Sequence, residues 1–265
     1  MKALKGKKFT GGCRHLLMAG MLLFAAQGVL AQENDALSIL KRMADYMAAQ
    51  QTLAIRFDSS IEVITPQLEK IQFTNSGQAL LSRPNRLFAH RMGGYSDVAL
   101  SFDGQQVSIF AKDRNAYAQF QGPTSVDELL EALSVGHGVA LPGADLLLSY
   151  SYEALAEDIM EAKHIGRGVV GGRECEHLAF RNFDTDWQLW VEVGDRPAPC
   201  KMVITSKTLN SAPQYTLLIT GFRSGVMPNP GAFAFRPPAG AQQLDPNALL
   251  ELDELPPGEP AGGVQ

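Results

Sequence analysis

The sequence predicts an α+β fold that is mainly antiparallel β. Strict apolar alternation runs over residues 53–63, short turns rich in Gly, Asp and Pro separate the later strands, and helical spacing is confined to the start of the domain and a central interlude. Alternation buries one face of a strand and wets the other. Short turns join neighbouring strands antiparallel.

The elements follow in order. Residues 34–50 read as an amphipathic helix, with Leu37, Leu40, Met43, Ala44 and Met47 on one face and Lys41, Arg42 and Asp45 elsewhere. Asn34 or Asp35 is placed to cap its start, where free backbone N–H groups need acceptors. From Leu53 the odd positions Leu53, Ile55, Phe57, Ser59, Ile61 and Val63 alternate with Arg56, Asp58, Ser60 and Glu62. Such a strand is about 36 Å long, above the usual length. Pro66 ends it, and strands are expected at 70–81, 86–91, 97–102, 106–111 and 116–120, with a turn at Arg83-Pro84-Asn85 and a hairpin at Asp103-Gly104. Ser125-x-x-Glu128 is a capping box that starts a helix, with Leu129, Leu130 and Leu133 as its apolar face and Gly136 and Gly138 as its end. Residues 141–157 read as a second short helical or loop region. Strands resume at 162–169, 173–181, 187–193, 200–207 and 214–223, with a short last strand at Phe233–Phe235.

The N-terminus reads as a secretory signal. Lys2, Lys5, Lys7, Lys8 and Arg14 precede an apolar run from Leu16 to Ala26, and Val29 and Ala31 are small enough for signal peptidase. The apolar run falls short of the ~20 residues a spanning helix needs. Cleavage after Ala31 divides the chain into a signal at 1–31, one domain at 32–244 and an acidic, Pro- and Gly-rich tail at 245–265 read as disordered. The signal carries five Lys and Arg and no acid, so cleavage takes the formal charge from −5 to −5 − 5 = −10. A chain this acidic has no general attraction to phosphate backbones, which excludes nucleic acid as an expected partner. The expected product is periplasmic and not membrane-spanning.

Catalytic signatures do not survive inspection of their context. Gly166-x-Gly168-x-x-Gly171 has a strand after it where a dinucleotide site needs a helix N-terminus. Ser38-x-x-Lys41 lacks the companion motifs of penicillin-recognising enzymes. His90, His137, His164 and His177 have no metal-ligand spacing, and Asp184 and Asp186 flank a tight turn that favours Asp for its own bonding. No catalytic residue, metal site or cofactor is expected, and the chain is read as non-enzymatic.

Two cysteines, Cys175 and Cys200, follow the signal. An oxidising compartment favours pairing them. Simple registers oppose it, because both then fall opposite Val193 about 9.6 Å apart, beyond the ~7 Å a disulfide spans. A register shift, or a bend at Pro197, would bring them together. Trp187 and Trp190 are three apart on one strand and therefore face opposite sides, with core packing expected for large aromatics.

A leading helix, very long early strands, a central helical insertion and a closing meander together resemble the LolA-like fold of periplasmic lipoprotein carriers. The residues are more similar still to the family of predicted periplasmic proteins called domain of unknown function 2092. The likeness is carried by Lys70-Ile-Gln-Phe73, Arg83-Pro84-Asn-Arg86, Phe102-Asp103-Gly104, Lys112-Asp-Arg-Asn-Ala-Tyr117, Leu141-Pro-Gly-Ala-Asp-Leu146, Cys175-Glu-His-Leu-Ala-Phe180, Asp186-Trp187-Gln-x-Trp190 and Phe233-x-Phe235-x-Pro-Pro-x-Gly-Ala241. The resemblance implies a half-open β-barrel with helices covering its concave face. It also implies export, and an apolar ligand such as a lipid or a lipoprotein acyl chain.

The candidate ligand-lining residues are Leu53, Ile55, Phe57, Ile61 and Val63 on the long strand, Leu129 and Leu133 on the central helix as a lid, and Trp190. The competing reading is that the same side chains pack against the helices and leave no cavity. The alternative function is an envelope-stress sensor or interaction module that engages an envelope protein partner without a small ligand.

Overall fold

The structure, a computed structural model, describes residues 35–136, 141–229 and 231–246. The expected signal at 1–31, Asn34, His137, Gly138 and the tail beyond residue 246 lie outside these.

The first helix, α1 (35–48), turns Ala36, Ile39, Leu40, Met43, Ala44 and Met47 into the core. Its solvent side carries the Lys41–Asp45 pair at 2.8 Å and an Arg42 bond to the Ser38 hydroxyl, so Ser38 and Lys41 belong to the helix surface. Six strands follow as successive hairpins: β1 (Thr52–Ile64), β2 (Lys70–Ser82), β3 (Arg86–Gly93), β4 (Asp97–Phe102), β5 (Gln106–Ala111) and β6 (Ala116–Gln121). At the β4–β5 turn the Asp103 carboxylate accepts from the N–H groups of Gln105 and Gln106, while Gly104 takes φ +103°. A second antiparallel run comprises β7 (Glu161–Val170), β8 (Arg173–Arg181), β9 (Thr185–Glu192), β10 (Pro199–Ser206) and β11 (Gln214–Ser224).

The two runs join where β1 pairs with β11, giving one open sheet in the order β12-β6-β5-β4-β3-β2-β1-β11-β10-β9-β8-β7. The β1–β11 register shifts at Arg56/Phe57, which makes Thr220 the extra residue of a bulge. The expected mainly antiparallel, unclosed sheet with helices over one face is the architecture found. That inner face holds Leu53, Leu81, Leu87, Phe102, Leu189 and Leu217, packed in one cluster with α1 and the central helices.

The central interlude is α2 (Val126–Glu131), a wider π-type turn at Ala132–Gly136, a 3-10 turn at Ala144–Leu147 and α3 (Ser151–Ala156). The Ser125 hydroxyl accepts from the Glu128 N–H at 3.1 Å, as the capping box predicts. Glu128 itself reaches one residue further back than the box expects, to the N–H and hydroxyl of Thr124.

Two expectations are corrected. Phe233–Phe235 is not a strand. Residues after β11 run as a strap over the outer face, where Phe235 sits 5.5 Å from the rings of both Phe110 and Tyr117 and Phe233 is buried. Alternating aromatics imitate a strand in sequence, but here they anchor a strap, and Pro237-Pro238 has no N–H to offer a ladder. The last strand is instead β12 (Gln242–Gln243), parallel to β6 and masking its edge.

The geometric objection to the Cys175–Cys200 bridge also fails. The two are disulfide-bonded, with Cα atoms 6.9 Å apart. The β9–β10 register shifts between Pro199 and Lys201, so Cys200 is the bulge residue at the start of β10 and comes within reach of Cys175 on β8.

Candidate functional site

The eight predicted lining residues do not all come together. Leu53, Ile55, Leu129 and Leu133 are buried in the shared core. Phe57 packs at the edge of that core. Ile61 and Val63 lie further along β1, half-buried, opposite Phe73 and Ile71 of β2. Trp190 alternates with the buried Leu189 and Val191 and faces outward. There it stacks on His177 at 4.1 Å with the Lys201 ammonium 4.9 Å from its ring centre. Its strand neighbour Trp187 is in the core, stacked on Phe180 and donating its indole N–H to Asn182.

The inner face is thus largely filled by its own helices near Leu53. Open space remains on the far side of α2. A cleft of about 860 Å³ lies between α2 with its following turn and the 141–157 segment. Leu130, Leu141, Pro142, Ala144, Leu148 and Ala154 make its apolar lining, and Leu130 and Leu148 are buried continuations of the core. Glu131, Ser134, Asp145, Tyr150, Glu153 and Glu157 supply the polar lining.

The cleft walls are fixed by a few polar contacts. Arg83, beside the cis Arg83–Pro84 bond, donates to the carbonyls of Leu147 at 2.7 Å and Gln50 at 3.2 Å and sits 3.8 Å from the Asp127 carboxylate. Burial lowers its pKa, and Asp127 opposes that shift. Asp127 also accepts from the N–H and hydroxyl of Ser149. These bonds tie the β2–β3 turn, α2 and the 3-10 turn into one frame. On the other side the Ser151 hydroxyl reaches the Ala44 carbonyl of α1.

The electrostatics of the cleft are acidic. Burial raises the Asp145 carboxyl above the ordinary carboxylate range. The Tyr150 phenol is raised by burial first, then by the charges of Glu131, Asp127 and Asp145. Nothing in the sequence pointed to this cleft, because its walls lie in segments read separately as a helix and a loop.

The remaining histidines bind locally. His164 lies between the carboxylates of Asp35 and Glu176, at 2.6 and 2.9 Å, and pins the start of α1 to the sheet edge. His90 bonds Asp97, and His177 bonds Gln188. Among the described residues no helix is long and apolar enough to cross a membrane.

Among solved structures the chain is similar to an uncharacterized conserved protein from Thermus thermophilus, at TM-score 0.45 and 9% identity over 80% of this chain and 99% of that one. It is similar to the Mycobacterium tuberculosis lipoprotein LppX at TM-score 0.45 and 12% identity, over 74% and 98%. It is also similar to a LolA superfamily protein from Nitrosomonas europaea at TM-score 0.36 and 12% identity, over 76% and 97%. No curated protein matches the sequence. A family model described as Predicted periplasmic protein (DUF2092) matches residues 36–245. With most of its length covered by that match, from the second residue of α1 to just past β12, the chain belongs to this family of predicted periplasmic proteins.

Proposed function

We propose that the chain is exported with loss of residues 1–31 and acts outside the cytoplasm as a non-enzymatic binder of an apolar ligand, a lipid or an acyl chain. The carrying observation is the cleft beside α2. Its volume of about 860 Å³ falls within the ~300–1,000 Å³ typical of small-molecule sites. Leu130 and Leu148 of its lining join the core, so an apolar tail laid there would meet apolar side chains along its floor. Each methylene buried there contributes about 0.8 kcal/mol before ordering costs. In this reading Leu53, Ile55, Leu129 and Leu133 back the site from within the core, α2 serves as one fixed wall, and Phe57, Ile61 and Val63 lie along β1 outside the cleft. Trp190, on the outer face, takes no part in it.

The test is solvent extraction of protein purified from the envelope, followed by mass spectrometry of the extract. A stoichiometric lipid or acyl species is expected, on a chain whose mass begins at Gln32. Absence of any such species, combined with failure to bind a neutral fluorescent apolar probe, would rule the reading out.

A second reading is an interaction module for an envelope protein. It is favoured by the end of the β1–β2 hairpin, where Leu68, Ile71 and Tyr95 are exposed, Phe73 meets Tyr95 edge-on at 5.2 Å, and a Lys70–Glu62 pair flanks the group. Affinity capture that retains a stable partner on the wild type, and loses it with Ile71→Ser and Tyr95→Ser together, is the outcome this reading expects.

A further inference from the structure

We infer that the strap after β11 is a detachable guard on the β6 edge, and that the edge beneath it is an interaction surface for a second copy of this chain, β6 meeting β6 antiparallel across a two-fold axis.

The contrast between the two ends of the open sheet is the first observation. β7, at one end, carries Glu161, Lys163 and Arg167, and its register with β8 shifts between His164 and Gly166, where Gly166 takes φ +133°. Charge and a bulge keep such an edge from adding another strand. β6, which β12 covers at the other end, reads Ala116-Tyr-Ala-Gln-Phe-Gln121. It has no charge and no Pro, and its register with β5 is unbroken. Its protection comes from the strap and β12.

That protection is thin. The Asn115 and Tyr117 carbonyls accept from the N–H groups of Gln242 and Leu244, at 2.9 and 2.7 Å. Backbone direction alternates along a strand, so Tyr117, Gln119 and Gln121 aim their N–H and C=O groups at this same edge. β12 is two residues long against six in β6. Pro237 and Pro238, which lead into it, have no N–H to lengthen the ladder. Phe233 is buried and Phe235 packs on Phe110 and Tyr117, but Met227, Ala234, Arg236 and residues 237–240 are exposed. A segment held by two rings and a short ladder opens at far less cost than the sheet itself.

Opening bares Phe110 and Tyr117 beside an uncharged row of donors and acceptors. A second copy brings the same row. With Gln119 opposite its counterpart, Tyr117 pairs with Gln121, and no like charges meet. The contact is isologous, and the blunted β7 edges leave no site for further strands, so assembly stops at two copies.

The test is sedimentation velocity of the mature, full-length chain over a wide concentration range. It compares the wild type, Phe235→Ser, which frees the strap, and Phe235→Ser with Gln119→Lys, which sets two ammonium groups face to face. Melts verify folding. Both copies must open, so dimer affinity follows the square of the open fraction, and Phe235→Ser is expected to tighten dimerisation about tenfold or more. Adding Gln119→Lys should restore the monomer. A Phe235→Ser chain that keeps the wild-type association, or a dimer indifferent to Gln119→Lys, overturns the inference. Hydrogen exchange on the wild type needs no variant. The Gln242 and Leu244 amides are expected to exchange well before that of Ile109 on β5. Exchange of all three together, at global unfolding, overturns the detachable guard.

Discussion

Phe57 lies across β2 because Gly77 has no side chain there. A Cβ at Gly77 would sit 2.3 Å from the Phe57 ring and 2.7 Å from the His90 carbonyl oxygen. Gly77→Ala is therefore expected to lower stability by about 1–3 kcal/mol, the usual cost of overpacking, seen as an earlier urea midpoint. Asp145 is the residue with a clear pH signature. Its carboxyl is raised by burial, so the native state holds the proton more tightly than the unfolded chain. Its contribution to stability is present below the ordinary carboxylate range and is lost as pH rises through the elevated value. Asp145→Asn should accordingly be more stable than wild type at neutral pH, by less than about 1 kcal/mol because the residue is exposed. The difference should close as the pH is lowered toward 4, which is about the ordinary aspartate value. Paired denaturant titrations at both ends of that window check the sign.

Regular elements were legible where one periodicity was unbroken. The alternation from Leu53 to Val63 became β1, and the apolar spacing from Leu37 to Met47 became α1. Odd separation correctly set Trp187 and Trp190 on opposite faces, because parity depends on the backbone alone. Irregularities were not legible. The bulge at Cys200 and the strap carrying Phe233 and Phe235 depend on neighbours distant in sequence, and periodicity holds no record of them. The same holds for the site: apolar positions could be named from sequence, but whether each fills a core or lines a cleft is decided by what packs opposite. The bulge carries its own prediction. The disulfide spans 25 residues of sequence, and closing a loop of that size contributes about 3 kcal/mol. Cys175→Ser with Cys200→Ser should lower the melting temperature of the oxidised protein by several degrees, and reductant should lower the wild type to match while leaving the variant unmoved.

On the scale of the whole molecule, the sheet's inner face is occupied by α1 and α2, one of the two outcomes the sequence left open, and the proposed ligand would sit in the acid-lined cleft beyond α2. The outer strap and β12 cover one sheet edge, and α1 is pinned near the other by His164, so the frame around the cleft is held at both ends. The most direct test is equilibrium titration of a neutral fluorescent apolar probe, N-phenyl-1-naphthylamine, into the wild type, Ala154→Trp, which fills the cleft, and Ile61→Ser, which alters β1 outside the cleft, with melts to verify folding. One saturable site in the wild type, abolished by Ala154→Trp and retained by Ile61→Ser, is the predicted result. A site that survives Ala154→Trp but disappears with Ile61→Ser, or no saturable site at all, would contradict it.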